Sequence, residues 1–126
     1  MLGVLVSDEY FKNRYVTKFP GGGLQYGEGI TDCLKREWLE ELGVEISINK
    51  HFYTTEFFQK SAFGDSQVIS IYYKVNLISP LKVTVKNKPF DFDVLKEGAE
   101  AFRYIKKPTE NDFTFPIDKH VATMLK

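Results

Sequence analysis

The sequence predicts an α/β fold in a single domain spanning 1–126, with a mixed sheet and helices on both faces. Three observations lead there. One stretch of helical period lies between strand-like runs, and a second amphipathic stretch closes the chain. The composition, 43% hydrophobic and 15% aromatic over 126 residues, supplies one apolar core and little more.

The elements follow in order. Gly3–Val6 is a short apolar run and reads as a buried strand. Ser7–Asn13 is polar and reads as a loop. Arg14–Phe19 is extended until Pro20 and three glycines break it. Ile30, Leu34 and Trp38 then recur at helical spacing with Cys33 beside them, giving a helix over Ile30–Leu42. Gly29 suits its N-cap, Asp32 suits the dipole of its first turn, and Gly43 is placed to end it at C′. Strands are expected at Phe52–Phe58 and at Val68–Ile78, with a loop at Ser61–Ser66 between them. Lys82–Lys86 alternates as a half-exposed strand, and Ala101–Ile105 is a short one. Pro116 opens a final helix whose apolar residues are Ile117, Val121, Met124 and Leu125.

Charge and cysteine content exclude several function classes. Lys plus Arg and Asp plus Glu both count 17, so the net charge is zero and nucleic-acid binding by bulk charge is not expected. A small phosphate ligand stays open, because an acidic cluster can hold a metal that supplies the positive charge. One cysteine, Cys33, forms no internal disulfide and suits a reducing compartment. No apolar run reaches membrane-spanning length, and the N-terminal residues lack signal-peptide features. A cytoplasmic protein with no membrane partner is the expectation.

The chemistry is concentrated in Gly22–Val44, GGLQYGEGITDCLKREWLEELGV. Gly22 is followed after five residues by Glu28, and after seven more by Arg36-Glu37; Glu40, Glu41 and Gly43 complete the pattern. On a helix, Glu37, Glu40 and Glu41 fall within an arc of roughly 100°. Three carboxylates so close repel one another. A divalent cation offsets that repulsion, and hard oxygen donors select Mg²⁺ or Mn²⁺ over zinc. Arg36 stands four residues before Glu40 and can orient the acidic face. The preceding glycines let the backbone turn sharply and present a carbonyl to the metal. A charge run alone is usually a solvated helix face; the glycine, glutamate and arginine framework around this one argues otherwise.

This segment resembles the Nudix box, Gly-x5-Glu-x7-Arg-Glu-U-x-Glu-Glu-x-Gly-U, with U a bulky apolar residue. Every fixed position is filled, and the frequency of a chance match is on the order of 10⁻⁸. Trp38 stands where an aliphatic residue is usual, and it should still face the core. The resemblance implies an α/β/α sandwich and a metal-dependent hydrolase of a phosphoanhydride in a nucleoside diphosphate linked to another group. It implies Glu37, Glu40 and Glu41 as metal ligands, with the Gly22 carbonyl assisting. Glu28 would orient the loop or share the metal, and Arg36 would partner the acidic face. A further glutamate, from the box or from a later loop, would act as general base; the later candidates are Glu97 and Glu100.

The family fold usually carries one more strand upstream of the segment matching Gly3–Val6, and this sequence has almost nothing there. Either the sequence begins late or the sheet is shortened at one edge; an uncovered edge invites association, so the expectation is a homodimer or a strand supplied by another chain. The proline and tyrosine that mark ADP-ribose and dinucleoside polyphosphate enzymes are missing, and Gln59–Ala62 fills that region. The substrate expectation is a nucleoside or deoxynucleoside triphosphate. The alternatives are ADP-ribose, a nucleotide sugar, or a non-catalytic nucleotide sensor. Of the remaining candidates, His51 and His120 have no partner at ligand spacing, and Cys33 reads as packing. Phe57, Phe58, Phe63, Tyr72 and Tyr73 read mainly as core, with base stacking as the alternative. Lys18 and Arg14 read as a solvated strand edge, with phosphate contact as the alternative.

Overall fold

A computed structural model describes residues 3–125, so Met1, Leu2 and Lys126 of the expected 1–126 domain lie outside the described residues. The elements are β1 (Val4–Phe11), β2 (Arg14–Lys18), α1 (Ile30–Leu42), β3 (Ile46–Thr54), β4 (Ile71–Leu77), β5 (Val85–Lys86), β6 (Ala99–Ile105) and α2 (Pro116–Met124). A 3₁₀ turn at Glu110–Asp112 precedes α2 and is closed by a Thr109–Asp112 capping box. One sheet runs β2-β1-β6-β5; β3 and β4 form a separate antiparallel ribbon. The β5–β6 pair is parallel and the others are antiparallel, so the sheet is mixed as expected.

Strand alternation places the helices on opposite faces. Leu5 points into a cluster with Leu42, Val44, Ile46 and Phe102, against which Leu34 and Trp38 of α1 pack. Val6 points the other way, to Phe113 and to Ala122 of α2. The α/β/α arrangement therefore follows from adjacent residues of one strand, and Trp38 does face the core.

Three elements differ most from expectation. The expected loop at Ser7–Asn13 is mostly strand: β1 continues to Phe11, and only Lys12 and Asn13, both at positive φ, make the turn into β2. Ser7 and Asp8 are buried within it, and groups distant in sequence satisfy Asp8. Asp8, 1% exposed, accepts from Thr17 Oγ1 at 2.7 Å, from Arg103 Nε at 2.6 Å and from the Phe90 backbone N–H at 3.1 Å. The strand expected at Phe52–Phe58 instead spans Ile46–Thr54, where two register shifts break the period of two. Phe57 and Phe58 consequently lie in a loop, at 41% and 74% exposure, and are not core. Phe63 is likewise exposed. Of Lys82–Lys86, only Val85 and Lys86 pair; Leu81 and Val83 pack against the α1 cluster instead.

β1 is paired on both sides, so the sheet edges are β2 and β5. The outer edge of β2 is partly covered: the Thr17 backbone N–H donates to Thr114 Oγ1 at 2.8 Å, and the Thr114 N–H donates to the Thr17 carbonyl at 3.1 Å. Among the described residues, no helix is long and apolar enough to cross a membrane.

Candidate active site

α1 begins and ends where its glycines put it. Gly29, extended at φ −81°, caps the start, and Gly43, left-handed at φ 64°, donates its N–H to the Leu39 carbonyl. Between them, Arg36 ties the helix to the glycine loop. Its Nε donates to Glu28 Oε2 at 3.0 Å, and its Nη2 donates to Glu28 Oε1 at 2.7 Å and to the Gly23 carbonyl at 3.1 Å. Nη1 donates to Glu37 at 2.6 Å and to Glu40 at 3.0 Å. Glu28 also accepts the Gln25 N–H at 2.8 Å, so both its oxygens are engaged within the loop. The Arg36 guanidinium, then the Gln25 N–H, hold the Glu28 carboxyl down to about 2. Glu28 and its neighbours in turn raise the Arg36 pKa further above its ordinary value.

Gly22 lies directly against the Glu37 carboxyl, and a β-carbon there would overlap that group. The backbone of the glycine loop and an acidic side chain of α1 are thus packed together, and an alanine at Gly22 would push the Glu37 carboxyl aside.

The strands bring the rest. Alternation puts Glu9 on the same face of β1 as Leu5, which faces α1, and register pairs Glu9 directly with Glu100 of β6. Lys18 of β2 pairs with Ser7 and shares that face; its ammonium lies 3.3 Å from Glu9 Oε2. The four acids interact with one another. Burial, then the charges of Glu100 and Glu37, raise the Glu41 pKa to about 8, with Lys18 opposing. Partial burial of its carboxyl, then the charge of Glu9, raise that of Glu100. Cys33 is buried and unpaired; burial raises its thiol pKa, and its Sγ lies 3.6 Å from the Gly23 carbonyl.

A groove of about 1910 Å³ runs past this cluster, with Glu9, Lys18, Gly22, Tyr72 and Asp118 among its lining residues. It is large for a single small ligand.

The NUDIX domain family model matches residues 3–107. The chain belongs to the NUDIX family. As a NUDIX protein it is a pyrophosphohydrolase of phosphorus-containing anhydrides and acts on nucleoside diphosphate-linked substrates, in a family that uses divalent cations. In this NUDIX chain, Gly22, Glu28, Arg36, Glu37, Glu40 and Glu41 come together through the loop and α1. The two later candidates separate. Glu100 joins the acidic group, whereas Glu97 accepts the Lys12 N–H with both oxygens, at 2.8 and 3.1 Å, and braces the β1–β2 turn. Glu9 escaped the sequence reading because its segment read as loop. Reading Ser7–Phe11 as strand, with alternate residues on one face, is the signal that would have found it. Lys18 faces the acidic group and is no solvated edge residue.

Proposed function

We propose that the protein is a nucleoside or deoxynucleoside triphosphate pyrophosphohydrolase, with Mg²⁺ or Mn²⁺ held by Glu37, Glu40, Glu41 and the Gly22 carbonyl. The observation that carries this reading is the meeting of α1 carboxylates with Glu9 and Glu100 from neighbouring strands, beside a glycine backbone and a single lysine. The donors are hard oxygens in excess of the nearby positive charge, which fits a divalent ion. Among the described residues, no three such groups converge closely enough to hold an ion as placed, and Arg36 holds two of the carboxylates. Coordination would therefore draw Glu37 and Glu40 away from Arg36, which keeps Glu28 as its partner.

When bound, the ion supplies screening of phosphate charge and acidification of a water. The chain's own residues do the rest. Lys18 offers its ammonium to a phosphate oxygen once Glu9 releases it. Arg36 and Glu28 hold the loop backbone in place. Glu100 is the proton acceptor this reading assigns, because it joins the acidic group from β6, paired with Glu9, and is not among the metal ligands. Glu97 is not assigned, because its oxygens are committed to Lys12. The alternative is a nucleoside diphosphate with another sugar attached. The single cysteine, which forms no internal disulfide, accords with a cytoplasmic setting.

A panel of nucleoside triphosphates, ADP-ribose and nucleotide sugars tests this, with Mg²⁺ or Mn²⁺ and with wild type beside Glu41→Gln. Metal-dependent turnover of a triphosphate, lost in the variant, is expected. Turnover of ADP-ribose or a nucleotide sugar alone would select the second reading, and no turnover of any substrate would favour a nucleotide sensor.

A further inference from the structure

The two cations of this site differ in what each is left with once it lets go of an acid. Arg36 holds Glu37 and Glu40, and it also holds Glu28 through two nitrogens, so it has a partner to fall back on. Lys18 makes one ion pair among the described residues, with Glu9 at 3.3 Å. Glu41, Glu100 and Asp118 feel its charge without pairing with it. An ammonium that loses Glu9 is therefore left facing the groove it lines, with no replacement acid in contact.

Glu9 is built to let go. Its Oε2 takes both partners, the Ser7 hydroxyl at 2.9 Å and the Lys18 ammonium. Its Oε1 takes no donor among the described residues. Register sets Glu9 directly opposite Glu100, and two like charges so placed repel each other. Ser7 is fully buried on the face of β1 where Leu5 supplies core, and register sets it opposite Lys18. A hydroxyl at that depth is explained by the carboxylate it serves. With side chains only 30% and 17% exposed, Lys18 and Glu9 are partly shielded from solvent screening, so their pairing competes with an incoming anion.

We propose that Glu9 is a positioning residue that gates Lys18: in the metal-free protein it keeps the ammonium from phosphate, and once a divalent cation is held by the α1 acids it turns its free oxygen there and releases Lys18. Metal loading then precedes phosphate capture, and a phosphate without its cation is refused. This rests on the assignment of Lys18 to phosphate given above and not on the identity of the substrate. It brings β1 and β2, outside the Nudix box, into the handling of phosphate.

The test follows binding of inorganic pyrophosphate by NMR titration of wild type, Glu9→Gln, Lys18→Met and the double variant, each in EDTA and at saturating Mg²⁺. Glutamine keeps an oxygen for Ser7 and loses the charge that holds Lys18. A lysine occupied for about nine-tenths of the time binds its ligand about tenfold more weakly. In EDTA, Glu9→Gln should therefore bind pyrophosphate about tenfold more tightly than wild type. In Mg²⁺ that advantage should vanish, leaving the two within about twofold. In the Lys18→Met background, the Glu9 substitution should change affinity less than about twofold in either condition. An advantage that persists in Mg²⁺, or that survives without Lys18, makes Glu9 only a like charge near the ligand and overturns the proposal. Binding by Glu9→Gln no tighter than wild type in EDTA also overturns it. If no triphosphate is hydrolysed while these results hold, only the substrate reading falls. If Lys18→Met binds pyrophosphate as wild type does in Mg²⁺, the assignment of Lys18 to phosphate falls and the gate with it.

Discussion

Replacing Asp118, the buried acid in the first turn of α2, by Asn should stabilise the folded protein above neutral pH. Burial is the main reason its carboxyl is raised from 3.8 to about 6; the Tyr72 hydroxyl and Lys18 only partly oppose it. A difference of about 2 pKa units corresponds to about 3 kcal/mol between protonation states. Because the folded pKa is the higher one, the stabilising contribution is complete below about pH 4 and is lost as pH rises through about 6. Above pH 7, wild type thus carries an ionised, buried acid at a cost of up to about 3 kcal/mol. Asparagine carries none of it. For a chain of this length that is a rise in Tm of about 10 °C at pH 8 as an upper figure, shrinking toward zero near pH 4. Circular-dichroism melts of both proteins from pH 4 to pH 8 measure it. Glu41 and Glu100 are raised too and tilt the wild-type curve the same way, but they are common to both proteins and cancel in the difference. A difference in Tm that is constant with pH would refute the reasoning.

Three further outcomes follow from the packing. Glu100→Gln should lower kcat by about a hundredfold, whereas Glu97→Gln should change it less than about threefold, as steady-state kinetics on the best substrate will show. Gly22→Ala should cut activity at least about tenfold while melting within a few degrees of wild type, because the added carbon displaces the Glu37 carboxyl and not the core. Asp8→Ala should destabilise by about 3 kcal/mol in urea titrations, since it strands the Arg103 guanidinium, whose side chain is 13% exposed.

What the sequence made legible was what local chemistry decides. The bounds of α1 follow from its apolar period and from Gly29 and Gly43, and the contact of Arg36 with Glu40 follows from helical spacing. The pairing of Glu9 with Glu100 was not legible, because it depends on the register of two strands separated by 91 positions. Asp8 made its segment look like loop, since a strand that buries an aspartate is only reasonable once Arg103 is known to lie across from it. The start of β3 was missed because bulges disrupted its alternation. Asp118 gave no signal in sequence at all: an acid in a helix's first turn is ordinary, and only its depth beside the Tyr72 hydroxyl sets it apart.

The account depends most on the acidic face of α1 gripping a divalent ion, and Mn²⁺ titration followed by NMR addresses that claim without needing a substrate. Selective paramagnetic broadening of Gly22, Glu37, Glu41 and Glu100, abolished in a Glu37→Gln/Glu41→Gln variant, is the predicted result. Signals there that stay sharp at saturating Mn²⁺, or that broaden equally in the variant, would contradict it.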